Sequence, residues 1–311
     1  MAEASDESVT TWPKVPDAWI NILARGSPPV LKRSLDDLAR FHDAIYDIPV
    51  SKVADVVESD PMLTLNLMMV VGRFQSSRPT QIETVEEALL MLGCVNFVKK
   101  AMTFPTVDAM LAKKPEALLG TLRAAARARR AGMFVRQWAR MRNDRNENAC
   151  VVAALLYEIT DLLAWIHAPE KMMQFEFVVR ENPKRKITLT RWMEFGFEWE
   201  ELEVKMLRRF KLPDVVTALI KPSPAEESPS AEFVARAVDF SRKLAESRNM
   251  GMLQEELREI ARMLKVPMVK LVREMKLENT PLAAAASAPE PPVESPVESP
   301  ADPATGSNAA A

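Results

Sequence analysis

Glu158 is the residue whose surroundings raise the clearest chemical question. It lies in a mostly apolar run of Ala, Val, Leu, Ile and Trp between residues 149 and 166. Burying a carboxylate there is costly unless a cation pairs with it or it is protonated. Two interpretations stay open. Glu158 and Asp161, three residues apart, form a narrow solvent-facing stripe, or Glu158 faces an internal polar site that holds a cation.

The arginine-rich segment 117–142 could supply that cation. Six of its residues form a line along one face of the expected helix: Arg123, Arg127, Arg130, Phe134, Trp138 and Met141. Because this line begins with arginines and ends with large apolar residues, we expect it to run from a polar cavity into the core. A second line is expected to be the solvated face: Arg129, Arg136 and Arg140. The arginines suggest nucleotide or nucleic-acid binding, but no aromatic residues are interleaved to stack bases, which favours ordinary surface arginines.

Histidine and cysteine are scarce, with two of each in the chain: His42, His167, Cys94 and Cys150. A hydrolytic metal site needs several imidazoles or carboxylates that converge on one point. We expect His167 to interact with the carbonyls at a helix C-terminus and His42 to be exposed. Both cysteines lie in apolar runs, so buried thiols in a reducing cytoplasm are expected. The sequence contains no nucleophile elbow, P-loop or dinucleotide-binding turn. We therefore predict no catalytic residue, no metal and no cofactor.

Composition limits the fold and the partners. Hydrophobic residues make up 48% of the chain, glycine occurs eight times and the net charge is −2. This composition favours helices and a sizeable core, and the charge does not favour nucleic acid or a membrane surface. The N-terminal MAEASDESVT does not resemble a signal peptide. Residues 150–166 are interrupted by Glu158 and Asp161, so a core helix is expected and a membrane span is not. We predict a cytoplasmic protein.

Helix patterns follow one another along the chain, and their ends carry recognisable signals. Asp60-Pro61 is typical of a helix start, Thr84 and Glu87 form a capping-box pattern, and Gly93 is typical of a helix end. The sequence predicts an all-α protein with helices near residues 30–45, 50–58, 61–71, 84–92, 95–102, 117–142, 149–166, 169–183, 198–210, 214–220, 231–248 and 252–276, the last broken at Pro267. Residues from Gly72 to Glu83 are expected to be irregular.

Three segments together resemble the HDOD (HD-related output domain) family. They are VADVVESDPMLTLNLM followed by TVEEALLMLGCVNFVKKAM (53–68 and 84–102), ACVVAALLYEITDLL (149–163) and FGFEWEELEVKMLRRFKLPDVVTALI (195–220). The order and spacing cover about residues 25–220. The resemblance implies a multi-helix HDOD-like bundle whose second half is built like an HD phosphohydrolase.

The expected organisation combines this resemblance with composition. A lead-in, in which Trp12 and Trp19 dock on the body, precedes an HDOD-like domain, a linker, C-terminal helices packed on the domain and a disordered tail rich in Pro, Ala, Ser and Glu. The boundaries are 1–28 for the lead-in, 29–220 for the domain (29–110 N-terminal helices, 111–220 HD-like part), 221–230 for the linker, 231–278 for the C-terminal helices and 279–311 for the tail.

The HD ligand positions hold other residues in this sequence. By the resemblance, the His-Asp pair is replaced by Tyr157-Glu158, the histidine after the FG-x-x pattern by Trp199, the first histidine by Arg127, and the later histidines by residues 221–223. We therefore predict that Arg127, or as second choice Arg130, pairs with Glu158 where the metal stood, while Tyr157 and Trp199 fill the remaining volume.

The function implied by the resemblance is a non-catalytic signal-transduction module. It would act through protein partners in a bacterial-type signalling pathway. The alternative is a binding protein that recognises an anionic nucleotide-type ligand through Arg127 and Arg130. A residual metal-dependent phosphohydrolase is the third hypothesis, which the missing ligands disfavour.

Overall fold

The fold is described from a computed structural model, which covers residues 11–41, 48–75, 82–142, 147–222, 228–246, 250–275 and 277. Across these residues the secondary structure is helical and contains no named strand, which confirms the predicted all-α class. Three predictions lie wholly or partly outside the described residues: the exposure of His42, the linker 221–230, of which residues 223–227 are not described, and the disorder of the tail from 279 onward.

The N-terminal helices are short and amphipathic. Two predicted start signals are confirmed: Asp60 accepts hydrogen bonds from the Met62 and Leu63 amides, and Thr84 forms a capping box with Glu87. Gly93, with φ of 80°, separates two of these helices. Their bounds are α1 (Pro16–Leu23), α2 (Lys32–Ala39), α3 (Val50–Glu58), α4 (Pro61–Gln75), α5 (Val85–Leu92), α6 (Cys94–Ala101) and α7 (Val107–Met110).

The second half is organised around one long helix and the apolar helices that pack on it. The bounds are α8 (Pro115–Arg142), α9 (Glu147–Leu156), α10 (Ile159–His167), α11 (Pro169–Glu181), α12 (Ile187–Phe195), α13 (Trp199–Phe210) and α14 (Asp214–Ile220). The helices after the predicted linker are α15 (Pro229–Glu246), α16 (Met250–Leu264) and α17 (Met268–Glu274), and Pro267 divides the last two as predicted.

The largest correction concerns the apolar segment expected to be one helix over 149–166. The structure has two helices, α9 and α10, separated by a turn at Tyr157 and Glu158, where Glu158 has φ −99° and ψ 23°. Neither Gly nor Pro marks this break, so the hydrophobic pattern gave no sign of it. The stretch 147–167 is long and apolar enough to span a membrane, but 94% of its most apolar window is buried inside the fold, which is typical of a core segment.

The expected docking of Trp12 and Trp19 on the body is confirmed, because Trp19 is fully buried and its ring contacts Trp12, Phe195 and Trp199. Helix α1 within the lead-in was not predicted. Helix α4 continues through Gly72 instead of ending there; a Cβ at this position would overlap the carbonyl oxygen of Lys211, so the glycine serves a close backbone approach. Helix α12 was not predicted at all.

Helix α15 packs along α8 and brings a distant part of the chain to the centre of the HD-like half. Phe240 lies 5.5 Å from Phe134 between ring centroids, and Phe233 lies 5.6 Å from Trp138. Ser241 donates a hydrogen bond of 2.9 Å to the carbonyl oxygen of Arg127. These contacts place the following residue, Arg242, beside the turn between α9 and α10.

Candidate functional site

Glu158 lies at the centre of an arginine cluster. Its side chain is 5% exposed. The Nη2 and Nε atoms of Arg242 donate hydrogen bonds of 2.6 and 3.1 Å to its Oε1 atom, and Arg127 Nε lies 3.5 Å from its Oε2 atom. The predicted ion pair between Arg127 and Glu158 is therefore confirmed. The interpretation of Glu158 and Asp161 as a solvent-facing stripe is wrong, because both residues are buried.

Arg242 makes the stronger contact, and the sequence gave no signal of it. It is 84 residues from Glu158 and lies in an amphipathic helix with no distinctive motif. Burial acts to lower the pKa of Arg242, but the charge of Glu158 and its hydrogen bond outweigh that effect and raise the pKa. Arg242 therefore stays charged, as the buried carboxylate requires.

Arg127 completes the pairing in a less favourable geometry. Its Nε atom is buried and has no hydrogen-bond partner among the described residues, so its contact with Glu158 is an ion pair without hydrogen-bond geometry. Two guanidinium groups thus share one carboxylate. The triad of Arg127, Glu158 and Arg242, called here the arginine triad, carries one net positive charge.

Arg130, the second predicted partner, does not reach Glu158 in the described structure. It lies one turn beyond Arg127 and is half-buried. Burial lowers the pKa of Arg130, and the neighbouring charge of Arg127 lowers it further. No ion pair of Arg130 is found within the part of the chain that the structure describes, so this cation adds to the positive charge of the triad.

Trp199, predicted to fill volume, has a polar contact as well. Its indole Nε1 donates a hydrogen bond of 2.8 Å to Asp161 Oδ1. Arg191 of α12 pairs with the other oxygen of Asp161 and its guanidinium lies 5.2 Å from the centroid of the Trp199 ring. Asp161 is therefore buried, like Glu158, with a cation beside it, and its second oxygen accepts a hydrogen bond from Trp199. Sequence reasoning missed Arg191 because its helix was not predicted.

Tyr157 lies beside a third charged group. Burial raises its pKa, while the nearby charge of Lys221 opposes the rise. Lys221 pairs with Glu203 at 2.8 Å and with Glu200 at 3.0 Å. Burial also raises the pKa of Glu203, with Lys221 opposing and Asp161 adding to the rise. The five candidate site residues predicted from the sequence thus lie in or beside one network of buried charges. They are Arg127, Arg130, Tyr157, Glu158 and Trp199.

The remaining predictions have mixed outcomes. His167 ends α10, and its Nε2 atom is buried without a hydrogen-bond partner among the described residues, so the expected bond from that atom to carbonyls is absent.

The predicted solvated face of α8 is confirmed for two of its three arginines. Arg129 and Arg140 are exposed, whereas Arg136 pairs with Glu58 of α3. Cys150 is buried, and Cys94 is half-buried. No group of three or more metal-ligand side chains was found within the described ranges.

Comparison with known proteins decides the family. Residues 39–224, more than half of the chain, match the HDOD domain. The chain belongs to the HDOD family. No curated protein matches it. The HDOD chain is similar in structure to a virulence factor from Campylobacter jejuni subsp. jejuni, with a TM-score of 0.61 at 16% identity, covering 88% of this chain and 100% of that one.

A second structural relative is the MmoQ response regulator from Methylococcus capsulatus str. Bath. Its TM-score is 0.58 at 17% identity, and the match covers 80% of this chain and 98% of that chain. Identities this low show the fold of the HDOD chain and leave its function to be argued from the site.

Proposed function

We propose that this HDOD protein is a non-catalytic regulatory module that acts in signal transduction by binding other proteins. The observation that carries the proposal is the arginine triad. Glu158, which stands at the position where the family resemblance implies a metal-binding His-Asp pair, is held by two guanidinium groups. A divalent cation would meet a site that already has a net positive charge.

The family and one structural relative support the regulatory part of the proposal. HDOD domains resemble HD phosphohydrolases, and a neighbour of similar fold is called a response regulator. We infer that the protein works in the cytoplasm, in a bacterial-type signalling pathway, and that its signal arrives by association with a protein partner.

A hydrolysis assay tests the non-catalytic part. Purified protein would be incubated with Mn²⁺ and either bis(p-nitrophenyl) phosphate or p-nitrophenyl phosphate, next to the Glu158→Gln variant as the matched control. We expect the two proteins to give the same background rate. Metal-dependent hydrolysis by the wild type that disappears in Glu158→Gln would overturn the proposal in favour of a residual phosphohydrolase.

Affinity capture tests the protein-binding part. The tagged full-length chain would be recovered from its source cells, and the proteins that come with it would be identified by mass spectrometry. We expect a reproducible partner whose binding is confirmed with both purified proteins. Failure of every captured protein to bind in that purified assay would contradict a protein-interaction module.

A second candidate function follows from Arg130. This half-buried cation has no carboxylate partner in the described structure and adds to the positive charge of the triad. Such a surplus suits an anionic ligand such as a nucleotide. A thermal-shift screen with nucleotides tests it, since a ligand that binds the native state raises the melting temperature. The shift should vanish in Arg130→Gln and persist in Arg129→Gln, whose side chain is exposed.

A further inference from the structure

Helix α12 has exposed apolar residues on its outer face as well as a buried aromatic residue on its inner face. Thr190 and Phe195 are buried on the inner face, which also directs Arg191 to Asp161. Leu189, Trp192 and Met193 lie on the outer face at helical spacing, and each is 50% exposed. These three residues are called here the α12 face. Three large apolar side chains that lie together on one helix face and stay half-exposed are typical of an interaction surface, and the α12 face is left uncovered by the part of the chain that the structure describes.

The inner side of α12 is fixed by aromatic packing and by an ion pair with α11. Phe195 packs against Trp199, Trp19 and Phe175, with ring centroids 4.5, 5.3 and 5.6 Å away. Lys171 of α11 pairs with Glu194 at 2.7 Å. A surface fixed in this way loses little conformational entropy when a partner binds. Exposed tryptophan on such a surface is typical of the residues that dominate binding energy in protein interfaces.

Charge is distributed unevenly along this helix. Between residues 182 and 193 the chain has four basic residues, Lys184, Arg185, Lys186 and Arg191, and no acidic one. Lys184 and Lys186 precede the helix, are exposed, and form no ion pair among the described residues. At the other end Glu198 is exposed. The surface is therefore basic at the N-terminal end of α12 and apolar in the middle, while its C-terminal end has both the acidic Glu198 and the basic Lys14, whose Nζ donates a hydrogen bond to the carbonyl oxygen of Glu194.

We propose that the α12 face, with Lys184 and Lys186, docks a segment of a partner protein whose acidic residues lie at one end and whose apolar residues follow. This inference rests on the proposed function and names the surface and the partner chemistry. Apolar side chains would cover Trp192, while the acidic end would meet the two lysines. An anionic membrane fits less well, because it favours cations along the whole apolar stripe and disfavours Glu198.

A peptide selection with the full-length protein tests this proposal. A display library of random peptides would be selected on wild-type protein after depletion on Trp192→Ala. Enriched peptides would be synthesised and their affinities measured by fluorescence anisotropy. Variants Trp192→Ala, Met193→Lys and Lys184→Glu/Lys186→Glu would be compared with two controls of similar exposure elsewhere, Leu90→Ala on α5 and Lys99→Glu/Lys100→Glu on α6. Circular dichroism would establish that each variant is folded.

We expect the enriched peptides to be acidic at one end and apolar beyond it. Each of the three α12 variants should weaken binding about tenfold or more, whereas the controls should leave it unchanged. Peptides whose acids are changed to lysine should bind the charge-reversed protein again. Enrichment of no peptide, or of peptides that bind all variants equally, would overturn the inference.

Three other results would also overturn the proposal. The first is binding to vesicles of phosphatidylcholine and phosphatidylserine that is lost in Trp192→Ala, and the second is self-association in sedimentation that is lost in the same variant. The third is peptide binding that appears only after residues 281–311 are deleted. Each would assign the α12 face to a different occupant. Peptides that bind the protein elsewhere would reject this surface and leave the proposed function intact, whereas hydrolysis lost in Glu158→Gln would reject the function itself.

Discussion

Asp60 and Glu158 are both buried carboxylates, but they are compensated in opposite ways. Asp60 is fully buried and accepts hydrogen bonds from the backbone amides of Leu31, Met62 and Leu63 at 2.8, 2.9 and 3.3 Å. Glu158 is held by the side chains of Arg127 and Arg242. The first arrangement fixes backbone and joins the segment before α2 to the start of α4. The second joins α8 and α15 to the turn between α9 and α10 through side-chain cations.

The difference also explains which of the two could be predicted from sequence. Asp60 precedes Pro61 at a helix start, and its contacts with Met62 and Leu63 are local, so the Asp-Pro pattern predicted them. For Glu158, the apolar surroundings predicted a cation and the helical line of Arg123, Arg127 and Arg130 offered candidates, while the family resemblance singled out Arg127. Arg242 comes from a helix 84 residues away, and no local pattern reports such a contact.

Other differences have equally specific causes. The all-α fold and most helix ends followed from periodicity and from Pro, Gly and capping residues. The turn at Tyr157 and Glu158 has no Gly or Pro and interrupts an otherwise continuous apolar pattern. Helix α12 shows apolar residues on both faces, so it lacks the one-sided pattern by which most of the other helices were recognised. Helices α1 and α7 were also missed, and they have only eight and four residues.

Removing the Glu158 carboxylate should have the largest effect on stability. Glu158→Leu leaves Arg127 and Arg242 without their shared partner, and we expect a loss of about 3–5 kcal/mol in the free energy of unfolding. Adding Arg127→Met alone should recover only part, because Arg242 stays unpaired; adding Arg242→Met as well should recover most. Urea denaturation measures each value.

The matched control is Glu259→Leu in the more exposed pair with Arg236. It should cost less than about 1 kcal/mol, as exposed ion pairs do. Equal losses for Glu158→Leu and Glu259→Leu would contradict the buried character of the triad.

Asp60→Ala should have the next largest effect. Three backbone amides lose their acceptor, two of them at a helix start, and we expect a loss of about 2–3 kcal/mol. Asp60→Asn should lose less, since its single amide oxygen can still cap α4. Unfolding in urea compares the two, and an Asn variant as unstable as the Ala variant would argue against hydrogen bonding as the cause.

Trp199→Phe isolates one polar contact of the network. The variant keeps an aromatic ring but loses the hydrogen bond to Asp161, while Arg191 remains. We expect a loss of about 1 kcal/mol, and no measurable loss for the control Trp192→Phe on the exposed face. A Trp199→Phe protein as stable as the wild type would show that Arg191 alone satisfies Asp161.

Glu58 provides an intermediate case, a largely buried carboxylate with a single arginine. Burial raises its pKa above the ordinary value of 4.5, and Arg136 only partly opposes the rise. Because the folded-state pKa is the higher one, the contribution of Glu58 to stability is greatest below pH 4.5 and falls as pH rises through the folded-state value. A carboxyl NMR titration should give a midpoint above 4.5, higher still in Arg136→Gln. A midpoint at or below 4.5 would be contrary to this expectation.

Metal content tests the central claim, that arginines occupy the place of the metal at Glu158. Purified protein would be equilibrated with Mn²⁺, Fe²⁺ or Zn²⁺, passed through a desalting column and measured by elemental analysis beside Glu158→Gln. Because a protein site that binds metal tightly retains it in stoichiometric amount, the account predicts a metal content far below one ion per chain and equal in both proteins. About one retained ion per chain in the wild type, lost in Glu158→Gln, would contradict it.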